Sequence, residues 1–442
     1  MLVAALIFSI TYFFIAFPNL PWIRIDRPSA AFLGAAAMVL SGVLSLDQAW
    51  QAINAPTIML LLGMMILNVF LEDSGFFELA ARCVLQHARS PAGLLVGLSI
   101  LSGALSALFL NDTVCLMLTP VLLIILRRAS LPYPPYLIAL AMSANVGSVM
   151  TLIGNPQNML IGIYSGFSYG HFLLRMAPVG IAGMAVMIAI LWLFYRGSLK
   201  RVATDPKALR LEARDAPAEA TLQESRPHQD GDRAATAVTP VDRPLLVKSL
   251  IVLSGVLIGF VAVGNLPLVS LVGAAALMVL SRRSPAEILR RVDWVLLLFF
   301  ACLFIVVHGL EATSAVEQLS TAIEPAYGDS LGTQIPVFTA TTVVASNVVS
   351  NVPFVILVRD LIPRMAEPGL MWLVLAVAST FAGNLTIPGS VATLIVLEAA
   401  KDHGTVGYFE FFRVGLPVTL FTVLIGILVL MLEHAFWPTV IF

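Results

Sequence analysis

Charged residues are scarce in this sequence. Only 12% of the 442 residues are Asp, Glu, Lys or Arg, whereas 59% are hydrophobic and the mean hydropathy is +0.94. Soluble domains carry roughly a quarter charged residues. Hydrophobic runs close to the roughly 20 residues that cross a bilayer recur from end to end. The sequence therefore predicts an all-α polytopic membrane protein.

Other features are missing as well. The three cysteines (Cys83, Cys115 and Cys302) lack the spacing of metal ligands and are interpreted as apolar thiols. The formal net charge is −1 and there is no basic patch, which argues against nucleic acid as a partner. The period-two alternation of membrane β-barrels is absent. So are the H-E-x-x-H and G-x-S-x-G motifs, which disfavours an intramembrane enzyme. No cofactor is expected beyond a coupling ion.

Hydropathy predicts ten membrane crossings, five on each side of a polar stretch. The run at the N-terminus counts as the first crossing rather than a signal peptide, because it lacks a preceding Lys or Arg and a clear cleavage site. The crossings lie near residues 2–17, 29–46, 56–71, 136–165 and 172–195, and near 246–263, 267–281, 294–310, 371–399 and 415–435. The stretch 196–245, rich in Ala, Pro and charged residues, is predicted to be a disordered or weakly helical linker.

Two further hydrophobic stretches, 92–126 and 336–364, fit poorly as single spans. Each is long enough for two short helices, and polar residues interrupt each near its middle: "NDT" from Asn111 and "SN" from Ser350. Each is therefore predicted to be a re-entrant hairpin that turns inside the membrane.

The two halves of the chain, 1–195 and 246–442, repeat each other. "GAAAMVLS" begins at Gly34 and "GAAALMVLS" at Gly273, and Asn111 and Asn351 lie 240 positions apart. In the predicted broken helices 136–165 and 371–399, "TLIGN" faces "TIPGS" at an offset of 235. Because each half has an odd number of crossings, the second half must be inverted relative to the first, as in many secondary transporters.

The distribution of Lys and Arg predicts the orientation. With both termini outside the cytoplasm, only Arg175, Arg359 and Arg364 of the 25 basic residues fall on the outer side. The linker is then cytoplasmic, hairpin 92–126 opens to the cytoplasm, and hairpin 336–364 opens to the outside. We expect the protein in an inner or plasma membrane.

The interruptions number four, two in each half, and their residues are typical of helix starts. Broken helices in a bilayer occur only where they line protein or water, and a helix N-terminus carries about half a positive charge beside free N–H groups. The pattern predicts an anion site made of helix ends. The alternative is that these side chains only bond neighbouring helices. The predicted substrate-binding residues are Asn111, Thr113, Asn155, Asn158, Ser350, Asn351, Thr386 and Ser390. The predicted coupling-ion residues are Asn111, Asp112, Thr113, Asn145, Gly154, Asn351, Asn384 and Gly389.

Asp112 is a separate prediction, because ionisable residues at membrane depth are functional by default. It is expected to carry a proton or to ligate Na⁺. The alternative is that it is a plain N-cap of a helix 114–126. The second half has Val352 at the aligned position, so the two halves of the site cannot be chemically equivalent.

Four segments, "LNDTVCLMLTP", "ANVGSVMTLIGNPQN", "SNVVSNVPFVILV" and "GNLTIPGSVATLI", resemble the signature regions of the ion transporter superfamily. That group includes arsenite permeases, NhaD-type Na⁺/H⁺ antiporters, and citrate and dicarboxylate carriers; the motifs look closest to the arsenite permeases. The resemblance implies a homodimer with a scaffold and a transport domain that moves like an elevator. The Ser-Asn-Thr motifs of the dicarboxylate carriers are not intact here, which leaves proton coupling open.

These observations lead to one principal hypothesis. The protein is expected to be a secondary active transporter of a small anion or oxyanion, coupled to H⁺ or Na⁺. A Na⁺/H⁺ antiporter and a passive channel are the alternatives.

Overall fold

The computed structural model describes residues 2–16, 25–88, 90–201, 241–313, 327–404 and 406–436. These residues form 19 α-helices and two short 3₁₀ segments, with no strand in the described ranges. The all-α prediction is thereby confirmed. Most of the predicted linker, residues 202–240, lies outside the described residues.

The first half contains ten helices. They are α1 (Leu2–Ala16), α2 (Arg27–Leu40), α3 (Leu46–Ala52), α4 (Ala55–Asp73), α5 (Phe76–His87), α6 (Pro91–Leu108), α7 (Asn111–Arg128), α8 (Tyr133–Ser148), α9 (Pro156–Ser165) and α10 (Tyr169–Arg201).

The second half contains nine helices. They are α11 (Arg243–Ala262), α12 (Leu266–Ser281), α13 (Pro285–Arg290), α14 (Trp294–Glu311), α15 (Leu331–Val349), α16 (Asn351–Val358), α17 (Pro368–Ala382), α18 (Val391–Ala399) and α19 (Tyr408–Phe436). The 3₁₀ segments are Ile362–Arg364 and Ile387–Gly389.

Among the described residues, six helices are long and apolar enough to cross a membrane: α4, α6, α10, α11, α14 and α19. Four shorter apolar helices, α1, α2, α12 and α17, accompany them. Two predicted boundaries were wrong. The crossing predicted at 29–46 ends at Leu40, because Gly42 adopts a φ of +73° and its N–H closes the helix on the Val39 oxygen. A capping box between Ser45 and Gln48 then starts the new helix α3. Helix α10 continues to Arg201, beyond the predicted start of the linker.

The helical structure is interrupted at each of the four polar segments. Phe109 and Leu110 separate α6 from α7, and Ser350 alone separates α15 from α16. Ser350 has a φ of +75°, a conformation that a residue with a side chain rarely adopts. Longer breaks, 149–155 and 383–390, separate α8 from α9 and α17 from α18. A helix that stops at these places leaves backbone groups needing partners, so the breaks define where a site can form.

The helices pack into two groups. Helices α1, α2, α4, α11, α12 and α14 pack extensively on one another; we call this group the frame. Helices α6–α10 and α15–α19 form the second group, the site bundle. Packing between the groups is sparser and includes the pairs α4 with α9, α14 with α16 and α1 with α15.

Packing pairs recur between the halves. Helix α4 packs on α12 while α14 packs on α2, and α7 packs on α18 while α16 packs on α9. In each case the second pair consists of the counterparts of the first pair: α14 and α2 correspond to α4 and α12, and α16 and α9 correspond to α7 and α18. Helix α10 packs on its own counterpart, α19. The pattern is that of a duplicated fold. The inversion of one half relative to the membrane stays a prediction.

Candidate functional site

A cavity of about 610 Å³ lies where the frame meets the site bundle. Both hairpin tips reach it: Asn111 and Asp112 from the first half, Ser350 and Asn351 from the second. The two long breaks contribute the remaining bundle residues, and the frame contributes charged and aromatic side chains. These are Pro156, Gln157, Gly389, Ser390, Val391 and Leu394 from the bundle, and Asp26, Arg27, Pro28, Ser29, Asp293, Phe299 and Phe300 among those from the frame.

Six helices begin at this cavity: α2, α7, α9, α14, α16 and α18. Each N-terminus carries about half a positive charge, so their fields add inside one enclosed space. Three of the starts carry a carboxylate, Asp26 on α2, Asp112 on α7 and Asp293 on α14. The starts of α9, α16 and α18 have no acidic residue in their first turn. The cavity therefore combines three helix starts that bear a carboxylate with three that bear none.

The frame carboxylates are conventional caps. The carboxylate of Asp26 accepts a hydrogen bond from the Ser29 N–H at 2.9 Å, and this bonding lowers the pKa of Asp26 below its ordinary value. The carboxylate of Asp293 accepts from the Leu296 N–H at 3.0 Å. Arg27 lies beside Asp26, and its Nη2 donates to the Pro388 carbonyl oxygen at 3.0 Å, across the boundary to the site bundle.

Among the four helix starts at the breaks, α9 has a side-chain cap. There the Asn155 side chain accepts from the Asn158 N–H at 2.8 Å. No side chain caps α7, α16 or α18. Asn111 Nδ2 and Ser390 Oγ donate to Asn145 instead of contacting the starts of their own helices. The backbone N–H groups at these three helix starts have no side-chain cap, so they can donate hydrogen bonds to a bound anion.

Asp112 is not the N-cap of a helix 114–126, so that alternative was wrong. Helix α7 begins at Asn111, Leu110 occupies the cap position, and Asp112 lies in the first turn. Its carboxylate faces the cavity and lies close enough to Asp293 for the two charges to repel. The position is suited to a proton or a small cation, since either relieves this repulsion.

Asn145 of α8 joins the breaks of the two halves behind the cavity. Its Oδ1 accepts hydrogen bonds from Asn111 Nδ2 at 3.1 Å and from Ser390 Oγ at 2.9 Å. Its Nδ2 donates to Asn384 Oδ1 at 3.0 Å. Asn145 is 2% exposed. A single buried amide thus fixes the tip of hairpin 92–126 against the break between α17 and α18.

The break between α8 and α9 is held by a second network. The Nδ2 of Asn158 lies 3.0–3.3 Å from three loop carbonyl oxygens, those of Ser148, Val149 and Thr151. Asn155 Nδ2 donates to Ser148 Oγ at 2.8 Å. Asn158 and Asn155 are therefore structural supports rather than cavity residues.

Gly154 completes this network from its backbone. Its carbonyl oxygen accepts the Asn111 N–H at 3.0 Å, which ties the hairpin tip to the loop. A Cβ at Gly154 would lie 2.3 Å from the Ser148 oxygen and 2.7 Å from the Ser106 oxygen. Only glycine permits this approach of backbone segments.

Two other predicted residues lie outside the cavity. Thr386 donates to Asn347 Oδ1 at 2.8 Å, and Asn347 in turn holds the end of α17 through the Ala382 oxygen at 2.9 Å. Thr113 faces α4, where Asn68 Nδ2 donates to its hydroxyl at 3.3 Å. Asn68 was not predicted, although a lone Asn inside the apolar run 56–71 was a visible signal.

The sequence-based prediction therefore splits into two groups. Asn111, Asp112, Ser350, Asn351, Gly389 and Ser390 line the cavity, whereas Asn145, Gly154, Asn155, Asn158, Asn384, Thr386 and Thr113 are absent from its lining. The side-chain oxygens of Asn111 and Asn351, which line the cavity, have no hydrogen-bond partner in the described part of the chain. Unsatisfied buried groups at a cavity call for a ligand or water. The described residues contain no cluster of three His, Cys, Asp or Glu side chains that could hold a metal ion.

Comparison with known families decides the family of the chain. The citrate transporter family matches residues 12–382. The chain belongs to the citrate transporter family. This finding confirms the resemblance to the ion transporter superfamily drawn from the four motifs.

Two of the following three relatives of this citrate transporter family member are transporters by name, and the third is named a membrane protein. The silicon efflux transporter LSI3 of Oryza sativa subsp. japonica is 31% identical over 464 residues, covering 95% of each chain. The putative transporter arsB of Dictyostelium discoideum is 27% identical, covering 92% of this chain and 88% of that protein. A 46 kDa membrane protein of Mycobacterium leprae is 30% identical, covering 97% and 99%.

A solved structure supports the fold. The YdaH transporter of Alcanivorax borkumensis aligns with a TM-score of 0.54 and 14% sequence identity, covering 99% of this chain and 98% of that one. At this identity the likeness concerns the fold alone. The family and the apolar helices together identify the protein as an integral membrane transporter.

Proposed function

We propose that the protein is a secondary active transporter that moves a small anion or oxyanion by alternating access, driven by H⁺ or Na⁺. The observation that carries this proposal is the convergence of uncapped helix starts from both halves, α7, α16 and α18, on one cavity. Free N–H donors and dipole ends accept an anion without a fixed side-chain cation. A compact oxyacid such as arsenite or silicate, or a small carboxylate, matches this chemistry.

The carboxylate of Asp112 supports the coupling part of the proposal. It lies in the first turn of α7 at the same cavity as the uncapped starts. A proton or Na⁺ on Asp112 reduces the negative charge that an incoming anion would meet. Cation and anion then favour each other's binding, which is the thermodynamic requirement for coupled transport.

The helix starts of the frame indicate to which side of the membrane the cavity opens. Asp26 and Asp293 precede the starts of α2 and α14, and the Lys and Arg distribution assigns both positions to the cytoplasmic side. In this proposal the described state is open to the cytoplasm of a cell whose inner or plasma membrane holds the protein. A second copy of the chain is its dimer partner.

A Na⁺/H⁺ antiporter is the second candidate function. It is favoured by one observation: three carboxylates, Asp26, Asp112 and Asp293, line the same cavity. In that case the cation is the cargo, and no anion should stabilise the protein.

Flux measurements on purified protein in liposomes separate these functions. We expect arsenite, silicate or a small carboxylate to accumulate against its gradient when a pH or Na⁺ gradient is imposed, with saturation at high concentration. Flux that never saturates and runs only downhill would indicate a passive channel and contradict the proposal. Cation exchange that is indifferent to every anion would favour the antiporter.

A thermal-shift panel selects the anion to test. Ligands that bind the folded state stabilise it by RT ln(1 + [L]/Kd), so a true cargo raises the melting temperature by an amount that grows with the logarithm of its affinity. The panel is run with and without Na⁺ and across pH. We expect the cargo's effect to depend on one of these two cations.

A further inference from the structure

A partly buried ion pair joins the frame to the site bundle at the ends of α14 and α16 that lie away from the cavity. Arg359, directly after α16, places its Nη2 2.7 Å and 2.6 Å from the two carboxylate oxygens of Glu311, the last residue of α14. The two side chains are only 21% and 17% exposed. Arg359 Nη1 also donates to the Tyr164 hydroxyl of α9 at 3.0 Å, and its guanidinium lies 5.1 Å from the centre of that ring.

Three helices connect this cluster to the cavity. Helices α9, α14 and α16 all begin at cavity residues, and all end at the cluster of Tyr164, Glu311 and Arg359. The 8 residues of α16 span about 12 Å and the 10 residues of α9 about 15 Å at 1.5 Å per residue, so the cluster lies about that far from the cavity. Because helices are stiff, a relative movement of α16 and α14 at the cavity also separates Arg359 from Glu311.

The charges explain why the two side chains stay together. Glu311 lies at the C-terminal end of α14, where the helix dipole disfavours a carboxylate, so it depends on a cation. Arg359 supplies that cation from α16. Among the described residues, the other ionisable groups near the pair include Tyr12 of α1 and two close neighbours. These are His308, whose Nδ1 lies 3.6 Å from Glu311, and Asp360, whose carboxylate lies 3.6 Å from Arg359 Nε.

The equivalent place in the first half has no such link. Glu72 lies 18 residues after the N-cap of α4, as Glu311 does after the N-cap of α14. Its partner is Arg291 at 2.5 Å, which follows α13, and α13 packs on α4, so this pair does not reach the site bundle. The position that aligns with Arg359 is Thr119, whose hydroxyl bonds its own helix. The two ends of the molecule are therefore unequal.

We propose that Glu311 and Arg359 form a latch that closes the end opposite the cavity, stabilises the state described here, and opens each time the site bundle moves relative to the frame. The proposal rests on the alternating-access part of the proposed function. It adds that the resting preference for one state is set by a residue pair outside the binding site.

Double electron–electron resonance between one frame label and one bundle label measures this preference directly. Labels go on cysteines replacing two exposed residues, Glu287 of α13, which packs on the frame helix α4, and Asp402 after α18. The background is Cys83→Ser; Cys115 and Cys302 are buried. In liposomes we expect one dominant distance for this parent. Glu311→Gln should raise the fraction at a second distance by at least about fivefold.

Matched variants decide between a latch and a general loss of stability. Glu72→Gln breaks the equivalent ion pair inside the frame and should leave the distances unchanged. The exchange Glu311→Arg with Arg359→Glu restores an ion pair and should return the parent distribution. If Glu311→Gln does not fold, Arg359→Gln takes its place with the same expectation.

An unchanged distance distribution in both Glu311→Gln and Arg359→Gln would overturn the latch. So would single variants that shift the distances while the exchanged pair does not restore them, because the ion pair itself would then not be responsible. No cargo is needed for this measurement. A second distance that appears in Glu311→Gln although no anion is ever transported would contradict the proposed cargo and leave the latch intact.

Discussion

Asp112→Asn abolishes flux driven by a pH or Na⁺ gradient, with a loss of about 100-fold or more in the initial rate. Asparagine keeps the size of the side chain but can neither take up a proton nor neutralise a bound cation. Since Asp112 lies in the first turn of α7 and its side chain does not cap the helix, the change leaves the helix start intact. The measurement is uptake into liposomes under an imposed gradient, with the folded fraction checked by gel filtration.

Asp47→Asn is the matched control for this prediction. Asp47 is an exposed carboxylate in the first turn of α3, away from the cavity lining. Its substitution removes the same charge and should leave the rate within the scatter of the wild type. Coupled flux through Asp112→Asn at the wild-type rate would remove Asp112 from the coupling mechanism.

Asn145→Ala should cost both stability and anion binding. The substitution removes three side-chain hydrogen bonds and leaves Asn111, Asn384 and Ser390 with fewer partners in a buried place. At about 1 kcal/mol for each lost bond, we expect a loss of about 3 kcal/mol in the free energy of unfolding. Binding of the anion found by thermal shift should weaken by more than about tenfold, because two helix starts lose their fixed position.

Ser143→Ala provides the comparison on the same helix. Ser143 is equally buried, but its hydroxyl bonds the Ala139 carbonyl oxygen within α8. Its loss should cost about 1 kcal/mol or less and leave affinity unchanged. If Asn145→Ala matched Ser143→Ala in both stability and affinity, Asn145 would not be the link between the two breaks.

The interruptions were predictable from sequence because each places polar residues in a hydrophobic run. Asn155 followed by Pro156 gave the start of α9 directly, and the structure shows that cap. The role of Asn145 as a link was not predictable in this way. Asn111 Nδ2 and Ser390 Oγ both donate to its Oδ1, although the three residues are distant in sequence. Local capping preferences carry no information about such contacts.

The residues that the frame contributes to the cavity were not predictable in the same way. Asp26 and Asp293 are ordinary N-caps by sequence, next to predicted cytoplasmic loops. Only the packing of α14 on α2 brings their helix starts to the same cavity as the hairpin tips. Likewise, the 240-residue repeat indicated a duplicated fold, but Glu311 and Arg359 show where the two copies differ, since Thr119 aligns with Arg359.

The central claim is that helix starts from both halves form one anion site. A structure of the protein in lipid nanodiscs, determined with the anion that raises its melting temperature most, tests this claim most directly. We predict density for the anion in the cavity, within hydrogen-bond distance of the N–H groups that begin α7, α16 and α18. Density bound elsewhere, with these three helix starts facing only water or protein, would contradict the account.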